Sequence, residues 1–483
     1  MNSDNGLAAI ILAAGLGTRM RSARAKVLHE LGGEPMIART IRAFAKLKAR
    51  PLVLVVGHQA SEVEAAARRA IPGNDLRFAL QAEQHGTGDA ARCGLTEVPA
   101  NFSGDVVIGY GDMPMVDSAT LERCLESHRK SEAQLTFISV KLDDAGAYGR
   151  VTRDNQGKVS GIVEARDATP AQREIKEINT GIYFARAAFL RTAITKLRPN
   201  NAQQEYYLTD IVAIGRQDGA SVDAWIAHDA SEFVGINSRE ELAQMEAQVR
   251  SEINRKLMSA GVTIIDPATA YIGAEVEIGA DTTIGPNVQL LGRCRIGSGV
   301  LIEGTAWLRD VTIGDRCHLK IGVRAEACVI GEESEIGPFA HLREGTYLEG
   351  HNRIGNFVET KKAQIGRGSK ASHLSYLGDT VIGRETNVGC GVITVNYDGY
   401  DKHVTKIGDR CMVGCDTQLI APVTVGDDVY VASGTTIVRD VRDGELVMSH
   451  HPQKEKAGWT EQWHKRHANH PKARARSRGG KDD

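Results

Sequence analysis

An aliphatic residue returns at every sixth position through the second half of this chain, and few folds accept that period. The beat runs Ile272, Ile278, Ile284, Leu290, Ile296, Ile302, Leu308. It resumes at Ile330, Ile336, Leu342, Leu348, Ile354, and again at Ile407, Val413, Leu419, Val425, Val431, Ile437. The next residue is often glycine, as at Gly273, Gly297 and Gly331, and the fourth is small or β-branched, as at Val276, Thr282 and Cys294. A period of six suits neither an amphipathic helix nor an alternating strand. It matches hexapeptide repeats wound into a parallel β-helix, three repeats to a triangular coil. One coil cannot bury its own aliphatics, so such coils are stable only as a stack.

The beat breaks in four places. Leu308 to Ile313 is five residues, Ile354 to Ile365 eleven, Ile365 to Ile382 seventeen and Val388 to Ile407 nineteen. These slips are expected to mark where the chain leaves the coil, and repeat proteins often bind ligands on the face that carries such insertions.

The first half reads differently. Strand patterns at 8–13, 52–56, 76–80, 105–108 and 135–140 alternate with helical patterns at 35–47, 61–70 and 118–130. Alternation of this kind predicts an α/β doubly wound, Rossmann-like sheet, with ligands beyond the carboxyl ends of its strands. The first strand runs into Leu12-Ala13-Ala14-Gly15-Leu16-Gly17-Thr18-Arg19-Met20. Its glycines let backbone N–H groups approach a phosphate. Neither a P-loop nor a dinucleotide fingerprint is present, and a plain tight turn fits equally. Arg19 and Lys26 are either phosphate partners or solvated charges. Asp112, in the Gly111-Asp112-Met113-Pro114 turn, is either a Mg²⁺ ligand or a turn-capping carboxylate. Ser238 with Glu241 has capping-box spacing ahead of a charged helical stretch that Gly261 would stop. That stretch reads as an arm between domains, a partner-binding helix being the alternative.

Hydrophobic residues make up 42% of the chain and charged ones 25%, with a net charge of −2. No bulk field attracts nucleic acid or a membrane surface. The opening residues lack a basic export signal and a spanning run, so a cytoplasmic protein is expected. The eight cysteines show no CxxC spacing. Cys294, Cys317 and Cys411 fall on the small corner position, as reduced packing thiols would. The basic stretch from His464 onward is expected to be disordered.

The segments LAAGLGTRM, QAEQHGTGDA (81–90), YGDMP (110–114), AYGRV (147–151), EINTGIY (177–183) and NNAQQEYYLTDI (200–211) resemble the sugar-nucleotide pyrophosphorylases. Joined to the hexapeptide coil, they resemble the bacterial family of bifunctional N-acetylglucosamine-1-phosphate uridyltransferases/glucosamine-1-phosphate acetyltransferases, across about residues 7 to 460. The resemblance implies a pyrophosphorylase domain over 1–235, a linker helix over 236–260 and an acetyltransferase domain over 261–483. The last would be a left-handed parallel β-helix to about 448, followed by a tail.

The resemblance also assigns roles. Leu12, Ala13, Ala14, Gly15, Lys26, Gln81, Gly86 and Thr87 would contact the uridine nucleotide, and Tyr110 and Gly111 match the segment that flanks the metal-binding Asp112 in the UDP-N-acetylglucosamine site. Gly149, Glu164, Asn179 and Asn237 would surround the sugar and phosphates, and Asp112 with Asn237 would hold Mg²⁺. Lys26 and Arg19 would neutralise the transferring phosphoryl group. The family loop usually has Lys where Leu16 stands. In the coil, His373 within GSKASHLSYLGD would be the acetyltransferase base, and Arg343, Lys361, Tyr376 and Asn387 would hold glucosamine 1-phosphate. Asn396, Tyr397, Cys390, Cys415, Ser433 and His450 would line the acetyl-coenzyme A groove. Four of these depart from the family pattern: Cys390 stands where Ala is common, Cys415 where Ser is, Ser433 where Ala is and His450 where Arg is. Trp459 and Trp463 would pack on the coil end or near the adenine.

The implied activity acetylates glucosamine 1-phosphate from acetyl-CoA. It then uses UTP to make UDP-N-acetylglucosamine, a precursor of peptidoglycan and lipopolysaccharide. The family assembles as a homotrimer, without nucleic acid and without stable membrane association. Two alternatives remain: a nucleotidyltransferase whose coil only trimerises, and a noncatalytic nucleotide-binding assembly protein.

Overall fold

The computed structural model describes residues 6–449 and 453–469. The chain divides into two compact units, Met1–Arg295 and Ile296–Asp483.

The first unit is built on a mostly parallel sheet. Its strand order is Val222–Ile226, Leu135–Lys141, Glu177–Arg186, Asp105–Tyr110, Leu7–Leu12, Leu52–Val56, Leu76–Leu80. Only Glu177–Arg186 runs antiparallel to its neighbours in this row. The central strands read as unbroken apolar runs because helices cover both faces. Ile11, Leu54 and Val107 enter one core, with Phe44, while Ile10, Val53 and Ile108 enter the other. Leu12 pairs with Tyr110 in register, so the loops after both strands emerge side by side.

Strands and helices read from sequence up to residue 141 fall within a few residues of their observed bounds. The helix Thr87–Thr96 has no sequence signature, because TGDAARCGLT carries two glycines. Both are packing requirements. A Cβ on Gly94 would meet Ile10 at 2.5 Å, and one on Gly88 would meet the Tyr206 carbonyl at 2.9 Å.

The helix Arg239–Ser259 starts in the predicted capping box, Glu241 N–H donating to Ser238 Oγ at 3.1 Å. It ends before Gly261, whose φ is +95°. Met245 and Val249 pack with Leu31, Met36 and Ile236. Asn254 donates to the carbonyls of Pro267 and Ala270, and Ala274 N–H donates to Gly32 O at 3.1 Å. These bonds tie the first turns of the repeat, such as Ile264 paired with Ile284 and Ile272 with Leu290, into the first unit.

The second unit stacks short parallel strands whose aliphatics, from Ile302 and Leu319 to Val431 and Ile437, are buried. The glycine after each aliphatic answers a close approach between coils. A Cβ on Gly297 would lie 2.7 Å from Asp315 N, and one on Gly331 would lie 2.4 Å from Glu349 O.

Three of the four slips are not departures from the coil. Strands Arg353–Ile365 and Lys370–Ile382 run unbroken and pair in register along their length. The missing beats are filled by Thr360 and Ala371, both buried. Thr360 is tolerated inside because its hydroxyl meets that of Thr346 at 2.9 Å. Leu308 and Ile313 likewise sit in successive paired strands. Only the gap after Val388 holds an excursion, a loop closed by the Tyr397–Lys402 bridge.

The tail expectation also needs correction. Trp459–Arg466 is an exposed helix that includes His464. Trp459 stacks on Trp463 at 5.1 Å, a helical i,i+4 contact the polar composition hid. Residues 470–483 and His450 lie outside the described residues.

Candidate active sites

In the first unit, the ends of four parallel strands converge. Ala13 N–H donates to Val55 O, Gly111 N–H to Leu12 O and Gln81 N–H to Val56 O, each at 2.9 Å. They open onto a cavity of about 300 Å³ lined by Leu12, Ala13, Ala14, Gly15, Lys26, Gln81, Gly86, Thr87, Tyr110 and Asp112. A second, of about 190 Å³, is lined by Gly149, Glu164, Asn179 and Asn237, and shares Tyr110 and Asp112 with the first. All but one of the nucleotide- and sugar-site residues expected from sequence thus line two adjoining chambers. The exception is Gly111, which lies behind the wall, where a Cβ would strike Ile37 at 2.8 Å.

Lys26 sits at the junction. Its ammonium pairs with Asp112 Oδ2 and donates to Asn237 Oδ1 at 3.1 Å. The two oxygens expected to hold Mg²⁺ therefore aim at one cationic point. One carboxylate and one amide oxygen suit Mg²⁺, which keeps waters and takes substrate phosphates as its other ligands. Among the described residues no group of three or more His, Cys, Asp or Glu side chains gathers as a metal cage. Asn237 is held from behind, its N–H donating to the same Glu241 carboxylate that closes the capping box.

The chambers have distinct linings. Nothing lies within 4 Å of where a Gly15 Cβ would be, which leaves its backbone open to a phosphate. Gln81 is buried and donates to Gly86 O and Asp89 Oδ2. Gly86 has φ +105°, and a Cβ there would lie 2.7 Å from Tyr206 O. On the sugar side, Asn179 donates to the Tyr183 hydroxyl at 2.7 Å. Burial pushes the Glu164 carboxyl above its ordinary range, aided by Asp167 and Asp210 and opposed by a hydrogen bond from Thr209. Burial likewise pushes the Tyr110 phenol up, with the Glu164 charge adding to it. Gln84, Glu205, Tyr148 and Thr209 also line the chambers. Each lies in a quoted segment, but no residue-level signal singled it out. Arg19 is the outlier, exposed on the turn Thr18–Met20 and lining neither chamber.

In the second unit, His373 lies exposed at a corner of the coil. Its Nδ1 is 3.0 Å from Oδ1 of Asn356, the residue in register one coil earlier. The same register runs on. Lys370 pairs with Asn387 and Asn387 with Met412. Gly391 N–H donates to Leu374 O at 2.7 Å, Asp416 N–H to Cys390 O at 2.7 Å and Gly434 N–H to Cys415 O at 2.8 Å. Asn356, His373, Cys390, Cys415 and Ser433 therefore form one column up the corner.

The residues expected to hold glucosamine 1-phosphate flank it. Asn387 lies on the strand entering the corner, and Tyr376, Lys361 and Arg343 lie on the face leaving it. Arg343 donates to Glu359 at 2.7 Å, and Lys361 is 3.8 Å from Glu344. Gly378 lets the Tyr376 ring lie flat, since a Cβ would meet its hydroxyl at 2.4 Å. Asn396 is buried and donates to Asp379 at 2.5 Å. Tyr397 is exposed and opens a loop pinned by Asp398. Backbone N–H of Asp401, then His403 and Tyr400 N–H, hold the Asp398 carboxyl well below its usual range.

Comparison with known proteins finds matches in both units. Residues 9–167 match the MobA-like NTP transferase domain, 265–352 the GMPPB C-terminal domain and 405–439 the bacterial transferase hexapeptide (six repeats). The chain is 48% identical to the bifunctional protein GlmU of Pelobacter propionicus over 453 residues, covering 94% of this chain and 98% of that protein. It is 47% identical to that of Trichlorobacter lovleyi, covering 94% and 97%. Against that of Mycolicibacterium vanbaalenii it is 45% identical, covering 94% and 92%.

Proposed function

The chain belongs to the family of the bifunctional protein GlmU, and from that membership we propose that it makes UDP-N-acetylglucosamine in two steps. The coil acetylates glucosamine 1-phosphate from acetyl-CoA, and the sheet unit transfers a uridylyl group from UTP to the product, releasing pyrophosphate. The observation that carries this reading is that the identity to GlmU proteins covers 94% of the chain and so spans the segments of both clusters.

For uridylyl transfer, the sugar phosphate oxygen attacks the α-phosphorus of UTP in line. That oxygen is already anionic, so no general base is needed, and positioning and charge neutralisation remain. The backbone at Gly15 approaches the phosphates. Lys26 neutralises charge on the transferring group. Glu164, Asn179 and Gly149 seat the sugar. Asp112 and Asn237 would hold Mg²⁺, which when bound spreads the phosphate charge. Arg19, exposed on its turn and lining neither chamber, is given no part in this step.

For acetyl transfer, the amine must lose a proton as it attacks the thioester. Asn356 Oδ1 accepts from His373 Nδ1–H, which leaves Nε2 as the base. Arg343, Lys361, Tyr376 and Asn387 would hold the sugar phosphate. Cys390, Cys415, Ser433, Asn396, Tyr397 and His450 would border the coenzyme.

We also propose a homotrimer. Ile321, Phe339, Phe357 and Leu374 form an exposed apolar ladder beside His373, Phe339 stacking on Phe357 at 5.9 Å. A partner seated there would cover the acetyltransferase site. No helix among the described residues is long and apolar enough to cross a membrane. All eight cysteines are free, which suits a reducing compartment such as the cytoplasm.

The test measures pyrophosphate release from UTP with N-acetylglucosamine 1-phosphate and Mg²⁺, and thiol release from acetyl-CoA with glucosamine 1-phosphate. Asp112→Ala should abolish the first and spare the second, and His373→Ala the reverse. Wild type without thiol release would leave the coil a scaffold.

A further inference from the structure

Of the eight cysteines, only Cys390 and Cys415 are exposed, and they are neighbours. Asn387 pairs with Met412 and Val388 with Val413. The register holds through the corner, where Gly389 N–H donates to Val413 O and Asp416 N–H to Cys390 O. Cys390 and Cys415 therefore lie directly opposite each other on adjacent coils. In-register parallel neighbours are about 4.8 Å apart, inside the Cα separation of about 4.4–6.8 Å that a disulfide spans. Each precedes a residue with left-handed backbone, Gly391 at φ +79° and Asp416 at φ +57°, so the two corners turn alike and their side chains leave on the same side.

The other cysteines contrast with this pair. Cys124, Cys294, Cys317, Cys328 and Cys411 are buried, and Cys93 is half-buried with its thiol raised by burial. Burial pushes the Cys317 thiol up to about 11 and raises those of Cys124 and Cys411. They pack and do not react. Cys390 and Cys415 reach solvent, and the coil before Cys390 places His373 in the same column. Ala is common in the family pattern at the first position and Ser at the second, so the paired thiols are a departure of this chain from that pattern.

We propose that Cys390 and Cys415 form a redox-sensitive dithiol that closes to a disulfide beside His373 and shuts off acetyl transfer without affecting the sheet unit. The oxidant is a low-molecular-weight disulfide. One cysteine thiolate attacks it, forming a mixed disulfide and releasing one thiol. The second cysteine attacks the mixed disulfide, closing the intramolecular bond and releasing the other thiol. The protons of the two cysteines leave with the two small thiols. A closed bridge pins the two corners to each other and removes free thiols from the edge where the coenzyme would pass. The effect on activity rests on the function proposed above, whereas bond formation does not.

The full-length protein is incubated with glutathione disulfide and read by intact mass, peptide mapping and both assays. Expected is a mass lower by two hydrogens, one cross-linked peptide pair joining residues 390 and 415, and a loss of acetyl transfer of about tenfold or more, reversed by dithiothreitol. Uridylyl transfer stays unchanged. Cys390→Ala and Cys415→Ser, each compared with its own reduced form, should lose the internal bridge and the reversible inhibition. A bridge elsewhere, a stable glutathione adduct with no bridge, or inhibition that survives in Cys390→Ala would overturn the proposal. If reduced wild type shows no acetyl transfer, the function reading fails, and the mass and peptide map still decide the dithiol.

Discussion

His373 Nδ1 and Asn356 Oδ1 lie 3.0 Å apart, one coil separated and in register. The contact fixes which ring nitrogen carries the proton, since an amide oxygen only accepts. Asn356→Leu should lower acetyl transfer by about tenfold, short of the roughly 10²–10⁴-fold loss for His373→Ala. Asn356→Asp keeps an acceptor and adds a charge that favours imidazolium. It should retain activity but move the acidic limb of the kcat/KM profile to higher pH. A leucine variant with wild-type rates would remove Asn356 from the mechanism.

Lys26 bridges Asp112 and Asn237. Lys26→Ala should cut uridylyl transfer by about 10²–10³-fold, as losing a preorganised charge-stabilising donor does, and leave acetyl transfer intact. Equal loss in both assays would mean a folding defect, which the thermal midpoint would reveal.

Gly86 caps the helix Thr87–Thr96 at φ +105° against the Tyr206 carbonyl. Gly86→Ala adds a Cβ where backbone cannot yield and forces an unfavourable conformation, costing about 1–3 kcal/mol. It should displace the nucleotide-side wall, so KM for UTP rises as the urea midpoint falls. An unchanged KM in a destabilised variant would limit Gly86 to a structural role.

Asp105, at the start of the strand that ends beside Asp112, is fully buried. Burial alone would raise its carboxyl, but the His128 ring 3.5 Å away, a hydrogen bond from Arg129 and the charge of Arg186 outweigh it and hold it below its ordinary value. A depressed folded-state value gives stability that is complete above the unfolded carboxylate range, near pH 4. That stability is lost as pH falls through the lower folded value. Asp105→Asn should cost about 3 kcal/mol at neutral pH by stranding arginine charge. Its deficit should shrink on acidification, as urea unfolding from neutral pH to about pH 3 would measure. A constant deficit would exclude the carboxylate as its source.

Phe357 and Phe339 stack in the open. Phe357→Asp should shift the assembly toward monomer in light scattering and lower acetyl transfer with it. A trimer that survives this charge would move the seam elsewhere on the coil.

The repeat was legible because a β-helix has little tertiary freedom: each coil pairs with the next copy of its own pattern, so a period of six dictates both register and stack. The slips misled for the same reason. Thr360 and Ala371 fill inward positions without an aliphatic signature, so the strings that seemed to leave the coil are its longest strands. The chambers of the first unit were readable only as segments. Quoted motifs carried Gln84, Tyr148 and Thr209 to the site, but their roles depend on which atoms face the cavity. Arg19 reads as a phosphate partner in sequence and stands outside both chambers.

The amino-acid order alone determined the two architectures and the segments that carry chemistry, because periodicity and turn residues act locally along the chain. Only the folded structure decided which side chains meet. Lys26 reaches Asn237 across 211 positions of sequence, Asn356 meets His373 one coil away, and Cys390 faces Cys415. Those encounters depend on strand register and loop paths, which sum many weak contacts that no short stretch of sequence contains.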